Sequence, residues 1–164
     1  MDVRDKTAHA IVEFLATVGS HNIAVANSSG VDYIFTSAVT ILKFDRTTSE
    51  LSQVAELPGV HDATAVRHPL TGDWLLFTGT GETSIYNIND PAAPQLLYEG
   101  TGSEGWTGWH EQTLVPGLVD GRVILLLSGE SFVGTPNAEG GLPDSVFVVN
   151  VTDPSKPELV GTWK

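Results

Sequence analysis

The chain has 164 residues, of which 41% are hydrophobic, and it contains 17 glycines and 9 prolines. This composition is typical of one folded, turn-rich domain, or part of one, and differs from that of a disordered chain. The net charge of -12 repels phosphate backbones and anionic lipids, which argues against nucleic acid and membrane surfaces as partners.

Features that the sequence lacks narrow the chemistry further. There is no cysteine, which excludes disulfides, thiolate nucleophiles and zinc sites built on cysteine. No apolar run reaches the roughly 18 residues that a membrane-spanning helix needs, so we expect no membrane insertion. The first residues also lack the apolar stretch of a signal peptide.

Residues 1–19 are predicted to form the end of a β-sheet unit. A polar, turn-like segment at 2–7 precedes apolar residues at 10–14. This order indicates the end of one strand, a turn and a further strand. We interpret the segment as the partial first unit of a repeat.

Three further units follow, and each begins at a histidine. His21, His61 and His110 open similar segments and lie 40 and 49 residues apart. A period of about 40 to 50 residues is typical of β-propeller blades, each of which is a four-stranded antiparallel sheet. We therefore predict an all-β fold, a β-propeller segment of about three blades after a partial one. The predicted bounds are 1–19, 20–59, 60–100 and 101–164.

Each unit repeats one order of turns and apolar runs. A turn rich in glycine and aspartate follows the first strand, and it precedes a short run of aliphatic and aromatic residues that is typical of a buried strand. The second strands are predicted at 33–35, 74–77 and 123–127. The third strands are predicted at 41–44, 85–88 and 148–151, and a turn then leads to a fourth strand.

The end of the third unit resembles a known repeat. Residues 148–161, VVNVTDPSKPELVG, are similar to the LVIVD repeat, in which aliphatic residues precede a D-x-S-D-P-x-x-P turn and an L-V-G strand. Residues 89–97 share this turn, whereas Asn150 replaces the first aspartate of the pattern and the first unit departs further. The resemblance implies a β-propeller of bacterial or archaeal secreted or cell-surface proteins, and it implies no activity.

The predicted blades are too few for a closed ring. Closed propellers have four to eight blades, and an open arc would leave apolar faces and strand edges in water. We therefore expect the remaining blades to come from a longer chain or from another copy of this one.

The strand order predicts which loops share one end of the sheets. In an antiparallel sheet, the start of the innermost strand lies beside the link between the second and third strands. That end then carries the repeated histidines, the glycine-rich loop 100–109 and the insertion 131–144, and long loops in compact domains are often functional. We predict the ligand site there, with Glu104, Trp106, Trp109, His110 and Glu111 as its residues.

The repeated histidines have a second interpretation. Imidazoles that converge with a carboxylate suit a divalent metal such as zinc, manganese or copper. The predicted ligands are His21, His61, His110 and Asp62. A histidine that recurs once per blade also satisfies a backbone carbonyl where a strand begins, and the sequence leaves both interpretations open.

The sequence favours a binding or scaffold module over an enzyme, without deciding between them. Ser103 and Ser131 lack the G-x-S-x-G elbow of a hydrolase, and residues 79–82 lack the lysine and helix of a phosphate loop. The expected ligand is a protein or a glycan, and the resemblance implies an extracellular or cell-surface location. The alternative is a metal-dependent enzyme or a metal-binding protein that uses the repeated histidines.

Overall fold

A computed structural model describes most of the chain. The described residues are 20, 22–37, 40–58, 61–79, 83–101, 109–129 and 145–163, with backbone alone for Trp109, His110 and Gly129. Throughout these ranges the structure contains strands and turns and no helix. The all-β prediction is therefore confirmed for this part of the chain. The predicted partial blade at 1–19 and the insertion at 131–144 lie outside the described residues.

The strands form three four-stranded antiparallel sheets within the described ranges. Sheet 1 contains β1 (Ile23–Ser28), β2 (Val31–Thr36), β3 (Thr40–Asp45) and β4 (Glu50–Glu56). Sheet 2 contains β5 (Asp62–Arg67), β6 (Trp74–Gly79), β7 (Thr83–Asn87) and β8 (Gln95–Glu99). Sheet 3 contains β9 (Trp109–Leu114), β10 (Ile124–Gly129), β11 (Val146–Asn150) and β12 (Glu158–Trp163).

Each sheet is a simple meander, because every strand pairs with the next one along the chain. The first strand of sheet 2, β5, lies beside both β1 and β9. The three described sheets are therefore arranged in sequence order like successive blades, and these sheets alone do not close into a ring. No helix in the described ranges is long and apolar enough to cross a membrane.

Hydrogen bonds between sheets show that all three sheets run in the same direction. Near the far ends of β1 and β7, the Ser28 hydroxyl of sheet 1 donates to the Asn89 carbonyl of sheet 2 at 3.2 Å. Near the starts of β5 and β9, the Thr64 hydroxyl donates to the Gln112 carbonyl at 2.9 Å. Beyond the far ends of β5 and β11, His68 Nε2 donates to the Val151 carbonyl at 3.1 Å. We call the end where β1, β5 and β9 begin the rim, and the opposite end the base.

Two apolar clusters fill the spaces between the sheets, and sheet 2 contributes to both. Leu76 belongs to the cluster shared with sheet 1, whereas its neighbour Leu75 belongs to the cluster shared with sheet 3. Successive side chains of a strand point to opposite faces, so a strand buried on both sides needs a continuous apolar run. This explains the predicted run at 74–77.

The turns at the base use the backbone geometry that the sequence indicates. Ser29 and Gly30, between β1 and β2, have φ angles of 53° and 82°. Asp120 and Gly121, in the turn before β10, have φ angles of 49° and 76°. Two successive residues with positive φ form the turn type that matches the twist of paired strands.

Candidate binding rim

The rim contains only part of the predicted site within the described residues. Trp109 begins β9 and His110 follows it, so both backbones lie at the rim, and nothing is described of their side chains. Glu111 is exposed in the same strand. The other predicted ligand-binding residues, Glu104 and Trp106, and the predicted metal ligand His21 lie outside the described residues.

A histidine and an aspartate form the centre of the described rim. His61 Nδ1 lies 2.8 Å from Asp62 Oδ2, with 38% of the His61 side chain exposed and 4% of the Asp62 side chain. The strand pairing positions them, because the His61 amide donates to the Gly79 carbonyl at 2.9 Å and Asp62 lies opposite Gly79. A buried carboxylate is therefore held beside a partly exposed imidazole.

This pairing determines which atom of His61 is the acceptor. A carboxylate oxygen accepts hydrogen bonds, so Nδ1 of a neutral imidazole carries the proton that it donates to Asp62. The lone pair then lies on Nε2, which suits a ligand hydroxyl, an amide or a metal ion. The pair resembles the arrangement that orients histidines in many binding sites.

Further buried polar atoms lie at the same end of the sheets as this pair. The Thr83 and Ser145 hydroxyls begin or precede the third strands of sheets 2 and 3, and each residue is 1% exposed. Neither hydroxyl, nor Asn22 Oδ1 at the start of sheet 1, has a hydrogen-bond partner among the described residues. A buried polar atom without a partner costs roughly 1–3 kcal/mol, so this end of the sheets has unused hydrogen-bonding capacity.

Sheet 1 presents further hydroxyl groups at the same end. The Ser37 amide lies 3.0 Å from Ser20 Oγ, and the Asn22 amide donates to Ser37 Oγ at 3.2 Å. Thr36 Oγ1 accepts from the Thr40 amide at 3.1 Å. The sequence patterns described above did not predict these residues. Their signal is a serine or threonine at the end of each second strand or the start of each third strand.

Gln112 anchors sheet 3 to sheet 2 directly below the rim. Its side chain is buried, with 1% exposure. In the orientation that satisfies both ends of the amide, its nitrogen donates to the Phe77 carbonyl at 2.9 Å and its oxygen accepts from the Gly79 amide at 3.3 Å. These bonds hold the starts of neighbouring sheets in register, which preorganises the rim.

The metal interpretation has no direct structural support among the described residues. No group of three histidine, aspartate or glutamate side chains in the described ranges is placed to hold a metal ion. The predicted ligands His61 and Asp62 are adjacent and hydrogen-bonded, whereas the side chains of His21 and His110 are not described. The metal site therefore stays a prediction.

His68, in the turn between β5 and β6 at the base, is a structural residue. It is 1% exposed, its Nε2 donates to Val151 of sheet 3, and its Nδ1 accepts from the Thr71 amide at 3.3 Å. Its function is to join sheet 2 to sheet 3.

Comparison with known proteins does not assign the chain to a family. No protein-family model matches the sequence, and no curated protein matches it significantly. The resemblance to the LVIVD repeat thus stays a prediction from the turn residues quoted above.

Proposed function

We propose that this chain is part of a β-propeller and acts as a binding module that presents its rim to a glycan or a protein loop. The observation that carries the proposal is the set of buried polar atoms at the rim, Asn22 Oδ1, Thr83 Oγ1 and Ser145 Oγ, which have no partners among the described residues. The LVIVD resemblance supports an extracellular or cell-surface location for this module.

The chemistry of the rim favours a ligand rich in hydroxyl or amide groups. Such a ligand both donates and accepts hydrogen bonds, so it can pair with threonine and serine hydroxyls and with the imidazole of His61. A few convergent polar groups of this kind give a binding site its specificity. The net charge of -12 favours neutral or basic ligands over phosphorylated or sulfated ones.

A glycan array tests the proposal, with calorimetry for each glycan that binds. We expect wild-type protein to bind neutral glycans and Asp62→Asn to weaken that binding by about tenfold or more, equivalent to about 1.4 kcal/mol, because His61 loses the carboxylate that orients it. The matched control is Asp153→Asn, which neutralises a carboxylate in a turn at the base and should leave the affinity unchanged.

Two results would contradict a glycan or protein site at the rim. One is a ligand whose affinity falls with Asp153→Asn and not with Asp62→Asn. The other is the absence of binding both to the array and to a library of displayed peptides, measured with protein whose circular dichroism shows a folded β-sheet.

A divalent metal is the second candidate ligand, and the His61–Asp62 hydrogen bond favours it. A carboxylate that accepts from Nδ1 orients Nε2 of many metal-binding histidines. Metal analysis after supplementation with zinc, manganese or copper tests this candidate. We expect a stoichiometric ion in wild type that His61→Ala removes; protein without a bound ion would contradict the metal site.

A further inference from the structure

The same rows of residues recur on the two faces of each sheet. We call the face toward the preceding sheet the upstream face and the opposite one the downstream face. The strand registers give three equivalent upstream rows: Val25–Ile34–Leu42, Ala65–Leu76–Tyr86 and Leu114–Leu125–Val149. The equivalent downstream rows are Ala24–Phe35–Ile41, Thr64–Phe77–Ile85 and Thr113–Leu126–Val148.

Both contacts between sheets follow one rule. The downstream row of sheet 1 shares an apolar cluster with the upstream row of sheet 2, and Phe35 and Leu76 are each 1% exposed there. The downstream row of sheet 2 shares the second cluster with the upstream row of sheet 3, where Phe77 and Leu125 are each 0% exposed. A downstream row therefore packs against the next upstream row.

Sheet 1 has an upstream row of the same kind that is exposed at its β1 end, whereas Leu42 in β3 is 4% exposed and Ile34 is half-buried. Val25 is 56% exposed, and Ile23, two residues earlier on the same face, is 61% exposed. The equivalent residues in sheet 2 are Ala65, which packs against the cluster shared with sheet 1, and Ala63, which is 4% exposed within it. An apolar face that is exposed at these positions is typical of an interaction surface.

Sheet 3 has the complementary downstream row at the other end of the arc. Thr113 is exposed, and Leu126 and Val148 are half-buried. A groove of about 390 Å³ lies on this part of the sheet, with Glu111, Thr113, Leu126, Ser128 and Val146 among its lining residues. The groove lies where the other downstream rows receive the next sheet.

The two end faces also complement each other in size and hydrogen bonding. The downstream rows of sheets 1 and 2 have a phenylalanine at the second position, whereas sheet 3 has the smaller Leu126. In the contact between sheets 1 and 2, Phe35 and Ala63 line one cavity, and Ile23 occupies the position of Ala63 in sheet 1. A contact between copies would pair the smaller Leu126 with the larger Ile23, which keeps the summed volume close to that of Phe35 with Ala63.

A hydrogen bond between sheets 2 and 3 also has an equivalent in the two end faces. Thr64 donates its hydroxyl to the carbonyl of Gln112 across the contact between sheets 2 and 3. Thr113 occupies the position of Thr64 in sheet 3, and Ile23 occupies the position of Gln112 in sheet 1. The same bond would therefore join Thr113 of one copy to the Ile23 carbonyl of another.

We infer that a second copy of this chain packs its sheet 3 downstream face against the sheet 1 upstream face. The contact continues the rule that already joins the sheets within the chain, and each copy contains both halves of it. Such an interface is head-to-tail, and two copies close it when both contacts form. Two copies contain six described sheets, within the range of closed propellers.

Light scattering during size-exclusion chromatography tests this inference with the full chain. We expect wild type to exceed the monomer mass at high micromolar concentration, and to associate more strongly at higher salt, because salt screens the repulsion between chains of charge -12. Val25→Lys and Thr113→Lys should each raise the dissociation constant by at least about tenfold. Both residues are exposed, so neither substitution disturbs the core.

A mixture of the two variants distinguishes a head-to-tail contact from a symmetric one. The Thr113 face of the Val25→Lys copy is intact, and so is the Val25 face of the Thr113→Lys copy. We expect the mixture to form a mixed dimer that neither variant forms alone. The matched control is Leu70→Lys, which changes a leucine at the base that is 51% exposed, and it should associate like wild type.

Three results would overturn the inference. If wild type stays monomeric at high salt, a second copy does not cover the upstream face of sheet 1. Residues 1–19 or blades of another chain would then be the candidates to cover it. Undiminished association of Thr113→Lys indicates a symmetric contact through sheet 1. Failure of the mixture to associate, with both variants folded by circular dichroism, excludes the head-to-tail arrangement.

Discussion

The two ends of the sheets differ in how their polar groups are satisfied. At the rim, the buried Thr83 and Ser145 hydroxyls have no partner among the described residues. At the base, Thr152 Oγ1 accepts from the Val123 amide at 3.0 Å and donates to Asn150 Oδ1 at 2.6 Å. The base is therefore stabilised by its own contacts, whereas the rim retains polar groups that contribute little to stability.

The carboxylates at the base also accept hydrogen bonds from within the chain. Hydrogen bonds from Arg46 and then Asn27 lower the pKa of Asp32, and hydrogen bonds from Thr71 and Asn89 lower that of Asp73. The Ser155 hydroxyl and amide lower the pKa of Asp153. Trp74 is an exception, since its Nε1 has no partner among the described residues and Arg67 stacks 5.0 Å from the ring centre.

Under the proposed binding function, this difference separates residues that stabilise the fold from residues that would contact the ligand. Groups that pair within the chain lower the free energy of the folded state, and their removal should reduce stability. Buried groups that do not pair raise it, and they persist where they have another function. The following predictions compare the two ends, from the largest expected effect to the smallest.

His68→Ala should produce the largest loss of stability at the base. It removes the buried hydrogen bond to the Val151 carbonyl and leaves a cavity between sheets 2 and 3, for a loss of about 2–4 kcal/mol. Urea denaturation followed by tryptophan fluorescence measures the loss. Leu70→Ala, in the same turn and exposed, is the matched control and should change stability by less than about 0.5 kcal/mol. Equal effects of the two substitutions would contradict a structural role for His68.

Matched threonine substitutions compare the ends directly. Thr152→Val at the base should lower the free energy of unfolding by about 1–2 kcal/mol. The Val123 amide and Asn150 Oδ1 each lose the hydrogen bond that they make with the Thr152 hydroxyl. Thr83→Val at the rim should be neutral or stabilising by up to about 1 kcal/mol, because it removes a buried hydroxyl that has no partner among the described residues. The midpoints of urea unfolding measure both changes. A Thr83→Val variant as unstable as Thr152→Val would show that the rim hydroxyl is used in folding.

Acid should destabilise the protein by protonating carboxylates at the base of the sheets. The pKa values of Asp32, Asp45, Asp73 and Asp153 are lowered in the folded state. Their stabilising contribution is therefore complete above the unfolded value of about 3.9, and it is lost as the pH falls through the lower folded values. Unfolding midpoints measured from neutral pH downward should stay level until about pH 4–5 and then decrease.

Asp32→Asn should make the smallest change, because the ion pair of Asp32 with Arg46 is exposed. The Arg46 side chain is 69% exposed, so salt screens the interaction. We expect a slightly shallower decrease of stability in acid, and a difference from wild type that shrinks in high salt. A difference that is unchanged by salt would contradict an electrostatic contribution from this pair.

The sequence predicted most of the architecture because the strands have short, local signals. Residues 74–77 and 123–127 are continuous apolar runs between turn residues, and they overlap β6, which is buried on both faces, and β10, whose upstream face is buried. The positions of Gly30 and Gly121 marked turns that require positive φ. These signals depend on neighbouring residues alone, so they can be detected without knowledge of the packing.

The rim was predicted less completely, because its features depend on contacts between distant residues. The sequence identified His61 and Asp62 through the repeat. It did not show that the Asp62 carboxylate is buried and orients the His61 ring. Gln112 carries no local signal, since its buried amide reaches the backbone of a different sheet. The loops with Glu104 and Trp106 stay predictions.

The sequence by itself determined the all-β class, the repeat and the turns at the base, since each depends on the local order of apolar, glycine and aspartate residues. Only the tertiary structure decided which face of each strand is covered, because equivalent rows become buried or exposed according to the sheet that packs against them. Val25 and Ala65 occupy the same position in the repeat, yet one is exposed and the other lies against a neighbouring sheet. Burial of that kind depends on the partner surface, which no local pattern specifies.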